Sequence, residues 1–140
     1  MAQTWPSIWY DPYLLINAVD LSDHGYSATL EYGASMQNRN AFGDDTELFM
    51  PGLKSWSLTV EFYQDFAAGE VEATLWPLVG AAAFAIEVRP NKTDGVSATN
   101  PDYEGNAVLE TFPIIDGSHG DRAMITATFR AAGTLARATS

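Results

Sequence analysis

The sequence predicts a mainly β protein: an antiparallel sandwich or barrel of about six or more strands with one flanking helix. Three observations carry this. Several segments alternate apolar and polar residues with a period of two, and turn residues separate them at short intervals. Only one segment, 67–79, keeps a helical period. At 140 residues, 46% apolar and 12% aromatic, the chain suits one domain with a substantial core, and we treat 1–140 as a single unit.

Taken in order, residues 1–12, "MAQTWPSIWYDP", read as an extended arm without a regular period. Its Trp5 and Trp9 are candidate anchors on a neighbour or on the domain itself. Residues 13–21 and 25–33 read as strands, and the turn-rich "SDHG" between them predicts a hairpin. In the second strand Tyr26, Ala28, Leu30 and Tyr32 share one face, and Ser27, Thr29 and Glu31 share the other.

Residues 34–52 show no convincing period and read as a long loop. Loops of that length inside a compact domain are uncommon and usually functional or disordered. Phe42, Leu48, Phe49 and Met50 suggest that it docks against something. Residues 53–65 form the clearest strand, with Trp56, Leu58, Val60 and Phe62 on one side. The opposite side carries Ser55, Ser57, Thr59, Glu61 and Tyr63, a small polar face like that of 25–33.

For the helix at 67–79, Glu70 and Glu72 suit the positive end of the helix dipole, and Val71, Leu75 and Leu78 form its apolar stripe. Pro77 and Gly80 bound it. Strands follow at 83–90, 103–114 and 122–133, with a loop at 91–101 and a short tail at 131–140.

Composition excludes several classes of function. Eighteen acids against seven bases leave a net charge of −11, which repels phosphate and argues against a protein that grips nucleic acid. There is no cysteine, so neither a disulfide nor a thiolate metal site can form. The most apolar run, 75–88, is broken by Pro77 and Gly80 and ends at Glu87, too short to span a bilayer. The N-terminus lacks the basic start of a secretion signal, and the expectation is a soluble protein made in the cytoplasm.

Candidate chemistry is sparse. The stretch "DGSHGDRAMITATF", 116–129, gathers Asp116, Ser118, His119 and Asp121. A catalytic triad is assembled from separate parts of a fold, so four candidates in one loop read better as a turn into a strand. His24 and His119 stand far apart without a metal-binding spacing. Asp44, Asp45 and Glu47 lack the alternation and glycine of a calcium loop. Phosphate-binding glycine loops do not occur. We therefore predict no catalytic residues, metal ligands or cofactors.

The order of motifs over about 52–139 does resemble a known family. "GLKSWSLTVEFYQDF", the helix, "AIEVRP", "NPDYEGNAVLETFPI" and "GDRAMITATFRAAGTLARAT" together resemble the tail tube proteins of long-tailed bacteriophages. The resemblance implies a β-sandwich subunit with a flanking helix that forms hexameric rings stacked into a tube for genome passage. It implies no catalysis, and it places the protein in a virion tail, made in the host cytoplasm. Its partners would be further copies of itself, the tape measure, the tail terminator and the baseplate or tip. DNA would pass without specific binding, and the subunit would not insert into a membrane.

On that reading Glu31, Glu61, Thr29 and Thr59 line the channel. Trp5, Trp9, Phe42, Phe49, Met50 and Arg137 make contacts between subunits or rings. A reading from another class is a monomeric β-sandwich module for carbohydrate, using Trp5, Trp9 or Tyr103.

Overall fold

The computed structural model describes residues 12–140. Its strands are β1 (Tyr13–Ile16), β2 (Val19–Asp20), β3 (Gly25–Asn38), β4 (Phe49–Tyr63), β5 (Phe84–Arg89), β6 (Asp102–Thr111), β7 (Met124–Ala131) and β8 (Ala136–Ala138). One short helix, α1 (Val71–Leu75), continues into a 3₁₀ turn, Trp76–Leu78. The strands form one eight-stranded sheet in the order β2-β1-β5-β6-β7-β4-β3, with β8 beside β6. Every ladder is antiparallel.

The connectivity requires this sheet to curl. β2 and β3 are the two ends of the strand path, yet only residues 21–24 separate them in sequence. That link reaches about 17 Å at most, whereas a flat sheet would hold the two strands about 29 Å apart at the usual spacing. Leu21, in the middle of the link, is fully buried.

The core lies inside the curl. Leu14 and Ile16 of β1 and Ile86 and Val88 of β5 meet Leu58, Val60 and Phe62 of β4 and Ile125, Ala127 and Phe129 of β7. Phe84 and Phe129 pack edge to face, with centroids 5.9 Å apart. Val71, Leu75 and Leu78 of the helical segment join the same cluster. Trp56 is buried against β6 and donates its indole N–H to the Gly133 carbonyl at 2.8 Å. Gly105 makes room for that ring: a Cβ there would sit 2.6 Å from Trp56 Cζ2.

Four expectations are corrected. The hairpin between 13–21 and 25–33 does not form, because Asn17 and Ala18 take left-handed backbone angles (φ 49° and 66°). This tight turn folds β2 back onto β1, and β1 then pairs with β5. The loop at 34–52 is mostly ladder: β3 runs on to Asn38 and β4 begins at Phe49, leaving 39–48 as the tip of a long hairpin. A bulge between Ala34 and Met36 disturbs its alternation, which hides the strand period from sequence. Gly52 sits at this irregularity, where a Cβ would come within 2.5 Å of Ser35 Oγ.

The helix is shorter than 67–79. Ala67 N–H bonds to Asp65 Oδ1 and Gly69 is left-handed, so residues 65–69 form a turn. Pro77 lacks the N–H that would continue an α-helix, and the chain tightens into the 3₁₀ turn. Finally, the tail at 131–140 is not a bare extension. Residues 136–138 pair with β6, Arg137 stands opposite Tyr103, and Leu135 packs partly against the core.

Candidate assembly interface

The outward face of β3, β4 and β7 is a continuous field of small polar residues. Register sets Thr29 opposite Thr59, and Thr59 opposite Thr128. In the next rows Glu31 faces Ser57, which faces Arg130, and Ser27 faces Glu61, which faces Thr126. Alternation makes this face: Trp56, Leu58, Val60 and Phe62 point into the core, so their neighbours in sequence must point away. The four predicted wall residues, Glu31, Glu61, Thr29 and Thr59, therefore share one surface.

Sequence reasoning missed the basic member of this face. Arg130 of β7 is exposed, and its Nε donates to Glu110 Oε2 at 2.5 Å, which raises the arginine's pKa. With Glu31, Glu61 and Glu110 against Arg130, the field remains net acidic.

Beyond Tyr32 the hairpin leaves the core. Every residue of β4 from Phe49 to Ser55 is exposed. Phe42 at the tip is fully exposed, Leu53 is 87% exposed, and Met36, Phe49 and Met50 are each about half exposed. Isolated surface apolar residues are ordinary, whereas here several gather on one projecting hairpin. Met36 and Leu53 escaped the sequence reading, although Leu53 lies on the polar side of its strand and so broke the pattern. Trp5 and Trp9 lie outside the described residues.

The remaining candidates fall elsewhere. Residues 116–121 are exposed, and Asp121 N–H bonds to the Ser118 carbonyl at 3.0 Å, so this stretch is the turn it was read as. Asp44 accepts from the Ala41 N–H within the hairpin tip. Tyr103 is half-buried beside an apolar groove with Leu30, Tyr32 and Leu135. Among the described residues no helix is long and apolar enough to cross a membrane.

Two clusters carry unusual electrostatics. His24 has Asp65 at 2.9 Å and Glu70 at 3.3 Å from Nε2, with Asp23 at 2.9 Å from Nδ1. Burial lowers its pKa, but hydrogen bonds to Asp65 and Asp23 and the charge of Glu70 outweigh it and leave the pKa raised. Both ring nitrogens face acceptors, which suits the doubly protonated ring. Asp102 is 4% exposed. Its burial and the nearby Glu87 carboxylate push it up to about 6.

No family model matches the chain, and no curated protein matches it. Solved structures do. A chain of the SPP1 tail tube superposes with a TM-score of 0.70 at 12% identity, over 96% of this chain and 80% of that one. A chain from the tail of an empty gene transfer agent particle, determined with C6 symmetry, gives 0.64 at 13% identity over 84% and 83%. A chain of the sheath–tube complex of PVC, an extracellular contractile injection system, gives 0.67 at 15% identity over 98% and 94%. This protein has the tail-tube fold.

Proposed function

We propose that the chain is a structural, non-enzymatic subunit of a tail tube. It assembles as hexameric rings that stack into a channel for genome passage, within a virion tail made in a bacterial host. The observation that carries this reading is the overlong β3–β4 hairpin of a tail-tube fold, with its file of exposed apolar residues beyond the core. A protein that works alone has no use for such a projection, whereas a ring closes by laying it on a neighbour. Phe42, Phe49 and Met50 are then subunit contacts, Arg137 and the arm residues Trp5 and Trp9 bridge subunits or rings, and further tail proteins cap the ends.

The polar face supplies the channel wall in this reading. Glu31, Glu61 and Glu110 outnumber Arg130 on this face, and repeated negative charge around a narrow bore keeps DNA from adhering. Negative-stain microscopy of the purified chain tests the assembly. Tubes with a central channel are expected, and a protein that stays monomeric at every concentration and salt tried would refute it.

A further inference from the structure

Glu87 of β5 and Glu104 of β6 stand directly opposite each other in the ladder. Asp102 lies two residues from Glu104 and so on the same side of β6. One carboxylate oxygen from each of the three lies within 4.8 Å of the other two. Asp102 is 96% buried, being 4% exposed, and its Oδ1 has no hydrogen-bond partner. Its carboxylate neighbours, when ionised, only accept, so neither satisfies it. Arg89, whose charge reaches Asp102, makes no hydrogen bond to it and instead donates to the carbonyls of Asn91 and Lys92 and stacks on the Tyr13 ring at 4.6 Å. A buried, unsatisfied carboxylate among two others calls for a positive partner.

We propose that Glu87, Asp102 and Glu104 form a binding site for a hard divalent cation, calcium in preference to magnesium. All three ligands are carboxylate oxygens, the donors that such ions take. Opposite ligands on calcium lie about 5 Å apart, twice its bond length, and all three oxygens lie within that limit of one another, so one ion can reach them all. Magnesium dehydrates reluctantly, demands regular octahedral geometry and is usually held by one or two carboxylates, so a site of three protein carboxylates favours calcium. Glu104 is exposed and opens the site to solvent. The adjoining groove of about 330 Å³, lined by Glu87, Glu104, Asn106 and Thr134, has room for water ligands.

Bound calcium ties β5 to β6 at the stretch where Ala136 and Ala138 of β8 pair with Glu104 and Asp102. The ion therefore firms the docking of the C-terminal strand. Sequence spacing gives no hint of the site, because its ligands come from two strands that only the ladder brings together. The proposal stands independently of the tail-tube reading.

The test is titration calorimetry on the full chain, freed of metal with EDTA, at pH 7.5, with calcium chloride and magnesium chloride in separate runs. One calcium per chain is expected, with Kd within roughly 10⁻⁵–10⁻³ M and magnesium at least about tenfold weaker. Saturating calcium should raise Tm by roughly 5–10 °C. Glu104→Gln and Asp102→Asn should each abolish the calcium heat and the Tm rise. Asp102→Asn also removes the unsatisfied charge, so in EDTA it should melt no lower than the unaltered chain, which separates lost binding from lost folding. No calcium response in the folded unaltered chain, including stability that follows pH alone, overturns the site. So does binding that survives both substitutions, and equal affinity for magnesium overturns the choice of ion.

Discussion

The projecting hairpin makes a sharp quantitative prediction. Phe42 is fully exposed and Leu53 is 87% exposed, and neither belongs to the core cluster. Replacing them together (Phe42→Ser, Leu53→Thr) should leave the isolated domain almost unaffected, within about 0.5 kcal/mol. In an assembled ring both side chains would be buried against a neighbour. Full burial of such a side chain contributes about 1.5–3 kcal/mol, so the pair is worth about 3–6 kcal/mol per subunit. At about 1.4 kcal/mol per decade, the critical concentration for polymerisation should rise roughly 10²–10⁴-fold. Thermal melting of dilute protein reads the first quantity, and pelleting across a concentration series reads the second. A critical concentration within about threefold of the unaltered chain, at unchanged Tm, would show that the hairpin is not the adhesive surface.

Three further outcomes are expected. Changing Glu31 and Glu61 together to Lys should preserve the fold but slow genome ejection, with the slowing relieved at high salt; unchanged ejection at both ionic strengths removes these residues from the channel wall. His24 has a raised pKa in the folded state, so its contribution is fully present below the unfolded value of about 6.5 and is lost as pH rises through the folded value. His24→Gln should accordingly flatten the decline in stability from pH 6 upward, and an identical decline in the variant would refute the assignment. Gly105→Ala should cost about 1–3 kcal/mol by overpacking, since its Cβ would meet the buried Trp56 ring at 2.6 Å. Trp56→Phe, which lacks the clashing atoms, should recover part of that loss; an unchanged melting temperature in Gly105→Ala alone would contradict the packing.

Where alternation runs unbroken along a strand with one buried face, as in 53–63, the sequence alone sufficed. Alternation placed Trp56, Leu58, Val60 and Phe62 in the core and Thr29, Glu31, Thr59 and Glu61 on a shared type of surface, because a period of two leaves each residue one of two sides. The apolar stripe of Val71, Leu75 and Leu78 was readable from the helical period of about 3.6, and the turn at 116–121 followed from its composition. The outer part of the β3–β4 hairpin was not readable: both its faces are exposed, so no burial pattern distinguishes its strands from a loop.

Partnership between strands was decided by tertiary structure alone. Two left-handed residues, Asn17 and Ala18, send β1 to β5 instead of β3. Register then sets Thr29 beside Thr59, Arg130 beside Glu110, and Glu87 beside Glu104 and Asp102. Periodicity tells each residue which side it faces, but which neighbour it faces depends on hydrogen-bonded pairing between segments far apart in the chain.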